Sequence, residues 1–190
     1  MIDQPLIVGC GTVGSVLAIS LAKSKLISQL KIYDFDVVSR FTENPSYPFL
    51  KEEGSIPKIK IVRFQCKYEN PSMEVEVFME KIERPIEGNG FVIDCRDCKS
   101  PDINADIRIS LDGYMLYIDS MSKQDALDYH RYIISKNPYY IESAAFKVLE
   151  YLKNDQYLYK DFRFYNLKTN NIHILKRENL YDKSKKHFEL

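Results

Sequence analysis

The sequence is short of cysteine, has no surplus of basic residues and contains no long apolar run. Each absence closes off a class of protein. Four cysteines in 190 residues, at 10, 66, 95 and 98, are too few and too scattered for a disulfide scaffold, and we read them as reduced thiols. Lysine plus arginine is 27 and aspartate plus glutamate is 27, so the net charge is zero. A dedicated nucleic-acid binder would show a basic excess. The apolar stretch 5–8 is far too short for a signal peptide or a membrane span, and no basic region precedes it. Internal repeats and low-complexity tracts are missing too. Together these features predict a soluble cytoplasmic protein with neither nucleic acid nor membrane as partner. A chain of this length buries roughly 70% of the surface its unfolded form exposes, so it needs no disulfide or metal to fold.

What is present is an alternation of strands and helices. PLIV, stopped by Gly9, reads as a buried strand. From Thr12 to Lys25 the apolar residues Val13, Val16, Leu17 and Leu21 share one helical face. QLKIYDF is a second strand, and residues 39–56, with Pro45, Pro48 and Gly54, read as a long loop. A helix then begins with Pro57 in its first turn and stops at Asn70-Pro71. EVEVFMEKI alternates as a strand does; after a turn at Gly88–Gly90, the strand FVID delivers Asp94 and Asp97. PDINADIRISL is expected to be a helix, YMLYID a strand, and residues 122–135 a helix capped by Ser122. Another amphipathic helix carries Ile141, Ala145, Val148, Leu149 and Leu152. FRFYNL and IHIL form a hairpin about an Asn-rich turn, and the polar tail is expected to fray. The expected fold is α/β and Rossmann-like: a mostly parallel sheet finished by antiparallel strands, with helices on both faces. It fits a single domain over residues 1–190, with a Rossmann-like half at 1–119 and late helices and hairpin at 120–190.

Of the seven glycines, three stand at 9, 11 and 14, between the first strand and the first helix. That spacing suits a turn out of the strand (Gly9), close approach of a phosphate to the backbone (Gly11) and tight helix–sheet packing (Gly14). Amides at the helix start, aided by the helix dipole, then face the anion. Asp34 follows Gly14 by 20 residues at the tip of the second strand, where a carboxylate accepts ribose hydroxyls. The pattern suits NAD and ATP alike. A tight turn without a ligand would use the same glycines.

The ordered set of segments resembles the ubiquitin-activating-enzyme-like superfamily, the ThiF/MoeB/HesA-type adenylyltransferases. LIVGCGTVGSVLAISLAKSKLISQLKIYDFDVVS is similar to the family's first strand, glycine loop, helix and D-x-D-x-V strand end. SIPKIKI resembles its Pro-Lys segment, ENPSMEVEVFMEKI its Asn-Pro and strand, and GFVIDCRDCKS its Val-Ile-Asp-x-x-Asp strand end. YYIESAAFKVLEYL and FYNLKTNNIHIL are similar to its late helix and closing strands. The resemblance implies ATP and Mg2+ as cofactors and adenylation of the C-terminus of a ubiquitin-like or sulfur-carrier protein. It also implies a homodimer formed through the sheet edge and late helices, near which lie Tyr132, Tyr139, Tyr140 and Tyr151. By the same resemblance Gly9, Gly11 and Gly14 line the phosphates, Asp34 holds the ribose and Asp36 supports the site or its loop. Lys58 contacts the triphosphate and Asp97 holds magnesium near the reacting phosphate. Charge that builds as pyrophosphate leaves calls for such a lysine and metal.

The departures shape the expectation. Thr42 and Pro45 stand where the family has an asparagine and an arginine; Arg40 and Asn44 are nearby substitutes. The match begins at the first strand, without the family's preceding helix and the arginine it lends to the neighbouring subunit. Cys98 replaces the asparagine after Asp97, and no cysteine follows residue 98, which excludes thioester transfer through a crossover-loop thiol. Two alternatives follow: a catalytically inactive relative that binds a partner, or an NAD-binding Rossmann protein. Cys95 and Cys98 form a C-x-x-C without a second pair or paired histidines, which argues against a zinc site. Cys10 is expected to pack under the phosphates. His130 is expected at a surface, and no Ser-His-Asp set stands out.

Overall fold

The computed structural model describes residues 4–38, 56–86, 90–96, 103–120 and 138–176. Ten strands, three α-helices and one short 3-10 helix (Gln156–Tyr159) are defined there: β1 (Pro5–Val8), α1 (Thr12–Ser24), β2 (Gln29–Tyr33), β3 (Val37–Val38), β4 (Ile56–Pro57), α2 (Lys58–Glu69), β5 (Glu74–Phe78), β6 (Phe91–Asp94), β7 (Ile107–Asp112), β8 (Met115–Asp119), α3 (Pro138–Lys153), β9 (Phe162–Asn166) and β10 (Asn171–Leu175). Eight strands form one sheet in the order β10-β9-β8-β7-β6-β1-β2-β5. From β5 through β7 neighbours run parallel, and from β7 through β10 they run antiparallel. This is the expected Rossmann-like sheet, parallel first and antiparallel last.

The core follows from strand alternation. Ile7, Ile32, Ile93, Ile107 and Leu116 point to the face where α1, α2 and α3 pack, with α1 between the other two. Leu17 of α1, Val62 of α2 and Val148 of α3 are fully buried against them, each worth about 1.5–3 kcal/mol of burial. Leu6, Val8 and Val92 point the other way and meet Ile103, with Ile82 and Ile86 alongside. Helices expected on that second face are not among the described residues; the segment 122–135 lies outside them, as do His130, Tyr132 and the tail.

Three expectations need correction. PDINADIRISL is not a helix: its residues 107–111 belong to β7, which pairs with both β6 and β8. Asn104 has φ +57, which interrupts a helix. Ile107 and Ile109 alternate into the core, and Gly113 at φ +58 turns the chain back as a hairpin. The loop expected at 39–56 is closed at its base by a small ribbon, Val37 opposite Pro57 and Val38 opposite Ile56. Pro57 therefore ends a strand and precedes α2 instead of sitting in its first turn. Of the tyrosines near the late helices, which suit core packing as well as an interface, Tyr151 is wholly buried and Tyr139 is exposed.

Candidate functional site

The glycine loop sits at the C-terminal ends of β1, β2 and β6, where open α/β sheets place their ligands. Gly9 donates its amide to the Tyr33 carbonyl (2.8 Å), and Cys95 donates to the Val8 carbonyl (2.8 Å). Gly9 has φ +96, and a Cβ there would lie 2.9 Å from the Arg96 amide nitrogen. At Gly14 a Cβ would lie 1.9 Å from the Gly9 carbonyl oxygen and 3.1 Å from Cys95 Cβ. Both glycines are thus demanded by the chain's own packing. Gly11 differs: a Cβ there would meet nothing within 4 Å among the described residues. Gly11 is the cap residue of α1 and makes no side-chain bond, and the first turn of the helix holds no carboxylate.

Asp34 is buried at the tip of β2. Its Oδ2 accepts the Cys10 amide and its Oδ1 accepts the Asp36 amide at 2.7 Å. Burial pushes its carboxyl above the ordinary range, against the opposing pull of the Asp36 and Cys10 amides and of Lys58. A carboxylate has about four lone-pair positions; among the described residues two are used, which leaves two for hydroxyl donors. Asp36 in turn receives Lys58: Nζ donates to Oδ2 at 2.6 Å, and the Lys58 amide donates to the Asp36 carbonyl at 3.0 Å. The first-turn lysine is buried, its side chain 11% exposed, while the Asp36 side chain is 46% exposed. An ammonium has three donors; among the described residues one is committed.

Asp94 makes a contact that sequence reading missed. Arg96 donates Nε and Nη2 to its two carboxylate oxygens at 2.9 and 2.8 Å, the Arg96 amide donates to Oδ1, and Nη1 reaches the Ile82 carbonyl. This clamp fixes the chain just before Asp97. The i, i+2 spacing of Asp94 and Arg96 was the available signal. Asp97, Cys98 and Arg40 lie outside the described residues, as do Thr42, Asn44 and Pro45. The structure therefore brings Gly9, Gly11, Gly14, Asp34, Asp36 and Lys58 together and describes neither Asp97 nor Arg40. No group of three metal-ligating side chains occurs among the described residues. Burial raises the thiols of Cys10, Cys66 (to about 12) and Cys95, so all three are protonated and inert near neutrality.

A parallel sheet entered through a glycine loop, with an acid at the tip of the next strand, defines a Rossmann-like α/β protein. The model of the ThiF family matches residues 3–108, more than half of the sequence. The chain belongs to that family, within the superfamily of ubiquitin-activating-enzyme-like adenylyltransferases. The crystal structure of PaaA has a TM-score of 0.66 with it at 15% identity, covering 92% of this chain and 64% of PaaA. E. coli MccB gives 0.64 at 10% identity, covering 91% and 62%. MccB with ATP gives 0.65 at 11% identity, covering 91% and 63%. At these identities the likeness is one of fold, and the chain spans less than two thirds of the length of either protein. No curated protein shows significant sequence similarity to it.

Proposed function

We propose that this chain binds ATP and adenylates the C-terminal carboxylate of a small ubiquitin-like or sulfur-carrier protein. The carrying observation is the continuous set Asp34–Asp36–Lys58 beside the open face of Gly11. The donor chemistry fits: remaining acceptor positions on Asp34 suit a ribose, open space over Gly11 suits phosphates, and spare N–H groups on Lys58 suit their charge. MccB has been crystallised with ATP and, separately, with MccA, which supports a nucleotide and a small partner within this fold.

In the proposed reaction a carboxylate oxygen of the partner attacks the α-phosphorus and pyrophosphate leaves. Lys58 supplies positive charge where phosphate charge develops, from a side chain that is largely buried and so counts for more than in water. Asp34 fixes the sugar, and the glycine loop sets the distance of the phosphates from the backbone. In this reading Asp97 would hold a magnesium ion, which would supply further positive charge against the phosphates. Arg40 completes the nucleotide contacts. A homodimer in the cytoplasm and a single ThiF-like domain over 1–190 belong to the same proposal.

The test begins with thermal denaturation. ATP with magnesium at a hundred times its Kd stabilises by about 2.7 kcal/mol, a rise of roughly 5–10 °C for a chain of this size, and NAD gives none. A rise with NAD alone would replace this reading with a dinucleotide-binding one. Pyrophosphate exchange in the presence of candidate ubiquitin-like proteins then reads catalysis. Binding without exchange by any of them favours the inactive relative, a reading that the proline at 45 supports, since proline cannot bind phosphate through its side chain.

A further inference from the structure

Lys58 is unusual for a residue at the start of a helix. Its stem is buried, yet among the described residues its ammonium is met by one carboxylate, itself half open to water. Residues 36 and 58 flank the inner end of the β3–β4 ribbon, whose first rung pairs Val37 with Pro57. The ribbon brings the two backbones together, and the Lys58 amide bonds the Asp36 carbonyl. Asp36 is fixed in turn by its own amide on Asp34. A long, rotamer-rich side chain is thus held at both ends, with its ammonium oriented before any ligand arrives.

We infer that Asp36 is the positioning residue for Lys58: it orients the ammonium toward the phosphates of a bound nucleotide and ties phosphate recognition to the ribose acid Asp34. This rests on the nucleotide reading of the site. It goes beyond that reading by predicting that Asp36 acts on affinity for phosphates while leaving affinity for the nucleoside alone. The amide variant removes the charge of the carboxylate and leaves one neutral carbonyl oxygen to accept from Lys58, so the orienting contact weakens, while the backbone bonds of Asp36 persist. Preorganisation is lost and the ordering of the lysine falls to the ligand.

The experiment is calorimetric titration of the whole chain with ATP plus magnesium and, separately, with adenosine. Asp36→Asn is expected to weaken ATP by about tenfold, the scale of one hydrogen bond to a charged group, and to leave adenosine within about twofold. Lys58→Met is expected to show the same selective loss, and the double variant little more than either alone, because both changes break one unit. Asp36→Asn binding ATP as the wild type does would overturn the inference. So would equal losses for ATP and adenosine, or additive losses in the double variant. Wild-type protein that binds neither compound would bring down the nucleotide reading and this inference with it, an outcome distinct from wild-type binding with an indifferent Asp36→Asn.

Discussion

Two ion pairs in this molecule have the same separation and opposite surroundings. Arg163 Nη2 lies 2.6 Å from Asp161 Oδ2, and Lys58 Nζ lies 2.6 Å from Asp36 Oδ2. The first is closed. Both its side chains are less than a tenth exposed, and Arg163 donates further to Asp161 through Nε. The guanidinium lies over the Tyr151 ring at 5.0 Å, and the Tyr151 hydroxyl donates to Ser120, whose Oγ and amide both donate to the Asp161 carbonyl. It sits at β9, three strands from β6 in the sheet order. The second pair is open on one side and stands beside the glycine loop. Distance alone does not separate a structural pair from a ligand-binding one. What separates them is whether the remaining donors and acceptors are already spent.

Breaking the closed pair gives the largest effect. Arg163→Met leaves Asp161 buried without its cation, and destabilisation of about 3–5 kcal/mol is expected in chemical denaturation. The proportional response to ATP remains. Lys58→Met leaves only a half-exposed carboxylate behind, so stability changes by about 1 kcal/mol or less while the response to ATP shrinks.

The same contrast recurs inside the glycine loop. Gly14→Ala places a Cβ on the Gly9 carbonyl and has no flexible side chain to push aside; a loss of about 1–3 kcal/mol is expected. Gly11→Ala meets open space, so the fold loses about 1 kcal/mol or less, as for a changed cap residue, yet nucleotide-induced stabilisation falls. If both variants lose stability equally, the division between packing glycines and a ligand glycine is wrong.

Asp34 sharpens the comparison through pH. Its native carboxyl is raised above the ordinary 3.8, mainly by burial. The unfolded chain therefore releases its proton first as pH rises, and the native state loses stability through the window from 3.8 up to the raised value. Measured across acidic pH, the stability of wild type minus that of Asp34→Ala should decline as pH increases through that window. A difference that rises with pH would mean that the amides outweigh burial and that Asp34 is ionised at no cost. The smallest effect concerns thiols: at about pH 8, Cys10, Cys66 and Cys95 of the folded chain should resist alkylation that reaches them all after unfolding.

The sequence disclosed the first half of the fold well because its signals are local. A buried strand ending in Gly9, an apolar helical face and an acid one strand later each predict their own geometry. The late hairpin was equally legible: Asn166 Oδ1 accepts the Lys168 and Thr169 amides, and Asn170 takes φ +59. Residues 101–111 misled because Asp and Asn spaced among isoleucines satisfy a helical period, while the deciding turn at Gly113 lies beyond them. The burial of Lys58 had no local signal, since a first-turn lysine ordinarily faces solvent; the β3–β4 ribbon brings it against Asp36. The clamp of Asp94 by Arg96 and the pair of Asp161 with Arg163 share i, i+2 spacing, which puts both members on one face of an extended chain. Cys95 against Gly14 had no local signal, since the contact joins residues far apart in the chain.

The most direct measurement is the melting temperature of the wild type and of Asp34→Ala with magnesium and saturating ATP. The account predicts a rise of several degrees for the wild type, about 5–10 °C at a hundred times Kd, and none for the variant. An equal rise in both proteins, or none in the wild type, would contradict it.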